Sequence, residues 1–547
     1  MAQAIWVAPA GSTIEIVEGV CHLDEPLQLR GNSALTLRGQ GPASILSGGR
    51  PVDGWAPVVW PGAPPGAVYV ADTTGWPVEI KSLRAGSALI PRSRWPPLQG
   101  AGLETPNWLF AMPWSEHPPS TSGGNRLLHQ LGLNASQLPA GANLSDLVGA
   151  YAHVLGCVEK DVNSQLTKIL SVNSSDTTEQ RPLLAILFRN TFTTYQRFYL
   201  ENVRWALSPG TFYLDASGRL FYWPADGRLP PQGTVVAPVL DRLIELTGAQ
   251  GHTVKNLTFT DTTYFADGFW DGPAQQPSDA AVRINACSNV SVASCNFLAG
   301  LGGYGVAIGN ASEDIAVSGS LFDSVGQGGV IAYGFDGLGP IPAGSGRAAG
   351  NNTKPRRVSV THCVMRNLGQ QLAHVAGVAL RAASDCTIAH NRISKTPRYA
   401  IQADSFYPGA ISGASLVSSG NVVEFNILND SNRLTSDTGA IEMLGSGDPS
   451  TIGWWNNNLI RFNRISHTVG SSSSDGKHVC VHGVPDEGCR RLVWGALTHP
   501  NPMIHLHCAC HEAPCLSHAS RHLPRRRRGR DHHLWQCDRR LAARRRL

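Results

Sequence analysis

Along residues 250–495 the apolar positions follow neither the 3.6-residue period of a helix nor the strict alternation of a hairpin. They recur as a short unit: apolar, two residues, a variable position, one residue, apolar. Seven copies fall into register, Val254/Leu257/Phe259, Val292/Cys295/Phe297, Val317/Ser320/Phe322, Val360/Cys363/Met365, Ile388/Asn391/Ile393, Val423/Asn426/Leu428 and Ile460/Asn463/Ile465. Their middle positions are 38, 25, 43, 28, 35 and 37 residues apart, so the unit is constant and the connections vary. Most units are followed by a second short strand led by small residues, as in "GYGVAIG", "GGVIAYG", "AGVALRA", "RYAIQAD" and "GAIEMLG". Strand, tight bend, strand and variable loop, repeated, predict a parallel β-solenoid whose turns stack about 4.8 Å apart. Equivalent side chains then form ladders. Asn391, Asn426 and Asn463 are expected to bond the backbone and amide of the neighbouring turn, with Leu257, Cys295, Ser320 and Cys363 in the same column. A β-sandwich, which would favour hairpin turns and two-residue alternation, is rejected for this region.

Residues 1–54 carry similar short alternating strands, "TIEIVEGVCHL", "PLQLRG", "ALTLRGQG" and "SILSGG", and are expected to form the N-terminal cap and first turns. Residues 55–245 have a different texture, rich in Trp and Pro. The segment "GTFYLDASGRLFYWPADG" places alternating aromatics around Ser217-Gly218, a hairpin signal. This region is expected to be an inserted, mainly antiparallel β domain, with Ser115–Ser145 as loop. The coil proper is assigned to 246–495.

Composition agrees with an all-β chain. In 547 residues, Gly and Pro make up about 17%, apolar residues 42% and charged residues 16%. The net charge of +5 is misleading: residues 496–547 hold eleven arginines against three acids, +8, which leaves −3 for the rest. Nucleic-acid binding would rest on that tail alone, and none is expected. No apolar run is long enough to span a membrane. The opening "MAQAIWVAPAGSTIEI" lacks the basic and then apolar pattern of a secretion signal. Eight Asn-x-Ser/Thr sequons would nevertheless suit an extracellular protein, so the compartment stays open. Eight of the twelve cysteines lie before residue 496 at no metal-like spacing.

The stretches "KSLRAGSALIPRSRWP", "GTFYLDASGRLFYWP", "PVLDRLIELTG", "GVALRAASDCTIAHNRISKTPRYAI" and "DTGAIEMLG" resemble right-handed parallel β-helix proteins of the pectate-lyase-like superfamily, related to β-helix glycoside hydrolases. The resemblance covers about residues 10–495. It implies a right-handed parallel β-helix with an inserted antiparallel domain. The superfamily includes hydrolases, lyases and non-catalytic adhesins, so the fold alone does not choose among them. The resemblance implies a glycoside hydrolase acting on a plant or algal polysaccharide; a non-catalytic glycan-binding or cell-surface scaffold is the alternative, and a polysaccharide lyase a second one. A monomer without cofactor is expected.

The chain departs from the family pattern after "CRRLVWG" (489–495). Residues 496–547 read as a basic tail of low order, the product of a frameshift or mis-splice, which would leave the end of the coil unpaired. The competing reading of "HLHCACHEAPC" is a metal site from His505, His507, Cys508, Cys510, His511 and Cys515, at a spacing that matches no standard zinc arrangement.

Alternation places the chemistry. With Ile401 and Ile441 inward, Gln402, Asp404 and Glu442 face out, and stacking sets Gln402 beside Glu442. Asp437 enters the same strand. Carboxylates one or two turns apart fall within about 5–10 Å, the range of glycosidase acid/base pairs. Asp437, Glu442 and Asp404 are therefore the candidate catalytic residues. Arg381, Gln402, Arg398, His478 from the long loop 467–483, and Trp454 are candidate substrate contacts. The blander reading makes the acids solvated surface groups, the arginines ion-pair partners and Trp454 a packing residue. Calcium-dependent lyase chemistry would need a dense Asp cluster, and none is visible.

Overall fold

The computed structural model describes the chain except residues 32–33, 98–107, 112–126, 158–159, 174–181, 189–196, 265–279, 310, 335–353, 405–417, 436–438, 445–456, 472–477, 481–502 and 507–547. The described residues lie within the unit Met1–Cys510.

Three nine-stranded sheets run the length of a right-handed coil, each repeat contributing one strand to each, except that the ninth strand of the third sheet is the antiparallel Met503–Leu506. Sheet A holds the first apolar position of each unit, pairing Val254, Val292, Val317, Val360, Ile388, Val423 and Ile460 in succession. Sheet B holds the last, stacking Phe259, Phe297, Phe322, Met365, Ile393, Leu428 and Ile465. Three of these rings form a continuous internal stack, Phe259 on Phe297 at 4.9 Å and Phe297 on Phe322 at 4.5 Å. Sheet C is built from the strands led by small residues. The reason for small residues is close approach: a Cβ on Gly305 would sit 2.4 Å from the Phe322 ring, and one on Gly377 2.7 Å from Ile393. The sheet B side chain of one turn thus fills the space beneath a bare backbone in sheet C.

The column of bend residues forms as expected. Asn426 Oδ1 accepts from both the backbone N and the Nδ2 of Asn391, each at 3.0 Å, while Asn426 Nδ2 donates to Ile388 O at 2.9 Å and to Asn463 Oδ1 at 2.9 Å. Earlier turns do the same with smaller groups: Cys363 N donates to Asn391 Oδ1 and Cys295 N to Ser320 Oγ. Burial pushes the Cys295 and Cys363 thiols up to about 11, so both stay protonated and act as weak ladder donors. A second ladder, with no counterpart in the repeat alignment, runs at the corner between sheets C and A, where Cys386 N donates to Asn421 Oδ1 and Asn421 N to Asn458 Oδ1, both at 3.0 Å.

At the bend between sheets A and B the chain takes a left-handed turn at one fixed place. Asn256, Ser294, Gly319, His362, His390, Phe425 and Phe462 all have φ between +53° and +59°. That conformation is costly for bulky residues, by about 1–2 kcal/mol each. Here the last four stack ring on ring outside the coil, at 5.0, 5.2 and 5.0 Å. Such pairs contribute about 0.5–1.5 kcal/mol each, enough to offset much of that cost.

The chain leaves the coil after Ser44–Ser47 of sheet B and returns at Ile244–Thr247 of sheet C, which pairs with Leu27–Arg30. Between these points lie three sheets whose strand pairs all run antiparallel, of four, seven and four strands. Thr211–Leu214 and Arg219–Trp223 form the expected hairpin. Asp215 closes its turn by accepting from the N–H groups of Ser217 and Arg219, and Gly218 supplies a φ of +86°. The expectation of loop over Ser115–Ser145 is corrected in part: Leu127–Gly132 is a strand paired with Leu183–Phe188. Its apolar residues are short in sequence but find a partner some fifty residues later, which local pattern does not reveal.

Two further features depart from the sequence reading. A short helix, Ala2–Val7, precedes the first turn and buries Ile5 against the coil core. The far end of the coil is not wholly unpaired, because Met503–Leu506 adds to sheet C as an antiparallel strand against Ile441–Leu444. The main-chain groups of an open edge accept any extended segment, whatever its side chains.

Candidate functional site

The candidate site is the outer face of sheet C in its later turns. Ile401, Ala403, Ile441 and Met443 belong to the coil core. Alternation therefore sends Gln402 and Glu442 outward, and the two are direct register partners. The column continues back through Ala379, Ile331 and Ala307 to Arg283. Beside it, Tyr333, Arg381 and Asp404 stand in a second column, with Tyr399 in a third.

Residues facing out from a bare sheet would be wet. These are not: Glu442 is 4% exposed, Gln402 1%, Arg381 7% and Arg398 4%. The reading of Glu442 as a solvated surface carboxylate is thereby overturned. Tyr304, Tyr333 and Tyr399 form a buried layer with Ile331 and Val375 on this face. Burial raises the Tyr304 phenol, opposed by the Arg381 charge, and pushes Tyr333 up to about 12 against the same opposition. Both hydroxyls are thus held as donors at neutral pH. Edge-on to Tyr399, at 5.9 Å, stands the His374 ring, and the Arg398 guanidinium lies 4.5 Å from the Tyr399 centroid. Gln402 Nε2 and Arg381 Nε are buried and meet no hydrogen-bond partner among the described residues. Buried donors without partners are uncommon in folded chains, and a ligand is one way to satisfy them.

The insertion is fastened to the loops that feed this face. Trp108, Leu155 and Tyr199 pack on Ala373 and Leu434. Ala373 N donates to Ser164 Oγ at 3.0 Å, and Arg197 Nη2 donates to Leu434 O at 2.5 Å. Nearer the start of the coil, Arg84 grips the fully buried Asp261 with Nε and Nη2, at 2.5 and 2.7 Å, while Ser47 Oγ donates to the same carboxylate at 2.6 Å.

Behind that contact lies a buried polar network. His153 bonds Ser164 Oγ through Nε2 at 2.7 Å and the Tyr199 hydroxyl through Nδ1. Arg94 lies 3.5 Å from the Tyr199 ring centroid, and Arg92 stands 3.9 Å from Glu201. Burial, then the Arg94 charge, lower His153 to about 3, so it is neutral. An unfolded histidine takes up its proton near 6.5. The stability His153 contributes is therefore complete above about pH 6.5 and lost as pH falls towards 3. Glu201, raised chiefly by burial, acts in the opposite sense, since its share is lost as pH rises. The unfolding midpoint of His153→Gln should be lower at neutral pH but flatter between pH 6.5 and 4 than that of the wild type; parallel curves would show that His153 does not titrate this way.

The remaining predicted residues divide. Asp404 is register partner to Arg381, as alternation suggested. His478 lies in a separate ribbon, His478–Cys480 against Val469–Ser471, and not in sheet C. Asp437 and Trp454 fall outside the described residues, as do His507, Cys508, Cys510, His511 and Cys515 of the metal reading. Among the described residues no group of three or more His, Cys, Asp or Glu could hold a metal ion, and no helix is long and apolar enough to cross a membrane. Sequence reasoning passed over Tyr304, Tyr333, Tyr399 and His374. The signal was present, since three of the strands led by small residues each carry one tyrosine.

No family model matches the chain, and no curated protein matches it. Solved structures do. A protein described as "Glycoside hydrolase" superposes with a TM-score of 0.57 at 18% identity, covering 84% of this chain and 82% of its own. XylC in complex with xylose gives 0.38 at 11% identity over 85% and 64%, and an exopolygalacturonase from Thermotoga maritima gives 0.23 at 8% over 42% and 55%. The first of these shares the parallel β-helix fold with this chain.

Proposed function

We propose that this chain is a carbohydrate-active protein that hydrolyses a glycosidic bond in a plant or algal polysaccharide on the outer face of sheet C. The observation that carries the reading is Glu442: a carboxylate 4% exposed, set beside Gln402 on a face that also presents Arg381, His374 and buried tyrosines. The fold likeness to a protein described as a glycoside hydrolase supports a carbohydrate-active role. In this reading Glu442 supplies one of the two carboxyl groups, and Asp404 on the preceding turn or Asp437 at the strand entry supplies the other. One protonates the leaving oxygen while its partner activates water or attacks the sugar, depending on their separation. Gln402 and Arg381 offer their unpartnered N–H groups to sugar oxygens.

One observation favours a non-catalytic glycan binder as the second reading. The register partners of Glu442 are Gln402 on one side and His505 on the other, so the tightest carboxylate pairing available to this sheet is absent. A panel of neutral and uronate-containing plant and algal polysaccharides, assayed for new reducing ends and for unsaturated products, separates the cases. Reducing ends without unsaturation support hydrolysis. Retention in affinity gels without cleavage supports the binder. Neither cleavage nor retention on any member defeats both.

A further inference from the structure

The corner between sheets A and B, away from the sheet C face, carries a second arrangement that the proposed reaction does not use. Four of its left-handed positions hold stacked rings, His362, His390, Phe425 and Phe462. The three preceding turns place Gly319, Ser294 and Asn256 at the same position with the same backbone. Among the described residues the ring column therefore stops abruptly, and the His362 face turned towards Gly319 meets no ring. A groove of about 570 Å³ opens at that step, lined by His362, Gly319, Ser294, Asn256, Asn296 and Arg366.

We propose that this groove binds a neutral oligosaccharide whose first pyranose stacks on the open face of His362. The geometry favours a sugar. A ring one turn thick fills the level left bare at Gly319, as His390 fills its own level next to His362. The lining is mixed, as the two kinds of face of a pyranose require: Pro42, Leu321 and Val364 give apolar surface, while the side chains of Ser294 and Asn256 make no hydrogen bond among the described residues and Asn296, which donates to Thr258 Oγ1, keeps its amide oxygen available. The neutral charge of the ligand follows from Arg366. Its guanidinium is neutralised by Asp323, at 2.7 Å, so the groove presents no unpaired cation to attract an acidic sugar.

The site has its own test, separate from catalysis. Isothermal titration with linear neutral β-1,4-linked hexasaccharides, and with a uronate hexamer as comparison, is read for the wild type and three variants. His362→Ala removes the stacking face, Gly319→His extends the ring column into the groove, and Glu442→Gln leaves the groove intact. Affinity for the neutral ligand should fall roughly three- to tenfold in His362→Ala, the value of one stacking contact, and disappear in Gly319→His. Glu442→Gln should bind like the wild type at this site. Unfolding midpoints identify any variant that fails to fold, and for such a variant Ser294→Phe serves as a second way to fill the groove. Equal affinity in His362→Ala, in the groove-filling variant and in the wild type overturns the proposal, as does preference for the uronate. Because hydrolysis is measured separately, loss of the catalytic reading leaves this result interpretable.

Discussion

Glu442→Gln is expected to lower polysaccharide hydrolysis by about 10²- to 10⁴-fold, the usual worth of a positioned proton donor or acceptor. The substitution keeps the size and shape of the side chain and removes only its capacity to exchange a proton. Glu442 packs at 4% exposure against Gln402, already an amide, so the face should tolerate a second one. The loss should appear in kcat with KM little changed, because the amide still fills its place. The matching variant Asp404→Asn discriminates between partners. If Asp404 supplies the second carboxyl group, it loses activity to a similar extent; if Asp437 does, the loss passes to Asp437→Asn. Undiminished turnover in Glu442→Gln would remove the catalytic assignment altogether.

The largest loss of stability is expected at Asn426. Its side chain accepts two hydrogen bonds from Asn391 and donates to Ile388 O and Asn463 Oδ1, all in a position 1% exposed. Truncation to Ala leaves two donors and a carbonyl inside the coil without partners. Each such group costs about 1–3 kcal/mol, so a total of about 3–5 kcal/mol is expected after relaxation. Cys363→Ala, at the same bend position, removes only weak S–H contacts of 3.4 and 3.8 Å and should cost far less. Urea unfolding of both variants checks the order. Should Cys363→Ala prove as damaging as Asn426→Ala, the amide column is not what secures these turns.

Much of this architecture was legible because the coil converts sequence period into spatial contact. Val254 through Ile460 and Phe259 through Ile465 are apolar at every turn, so they align without knowledge of the loops. Asn391, Asn426 and Asn463 declare their ladder by repeating one residue type. The second ladder was passed over although Asn421 and Asn458 share a residue type and, with Cys386, stand two residues before the first apolar position of their units; the unit was aligned only from that apolar position onward, and the loops before it differ in length. Alternation gave the outward direction of Gln402 and Glu442 correctly. It could not give their burial, which depends on what packs across the sheet from distant parts of the chain. The same limit concealed Leu127–Gly132, whose partner strand is far along the sequence, and the Arg84–Asp261 contact, which joins residues 177 apart.

The point at which the chain leaves the coil has a consequence for biosynthesis. Gln28 and Glu245 face each other in adjacent strands yet stand 217 residues apart. At ribosomal rates of about 5–20 residues per second, the opening turn waits roughly 10–40 s before its neighbour emerges. During that interval Thr13–Ile16 and Gly19–His22 can already pair with Thr36–Gly39 and Ser44–Ser47, but Leu27–Arg30 has no neighbour, and a chaperone or a prompt collapse of the intervening sheets must keep that edge from associating with others. A circular permutant that joins the two halves of the coil directly, with the antiparallel region moved to one terminus, should therefore give a higher soluble yield at the same translation rate.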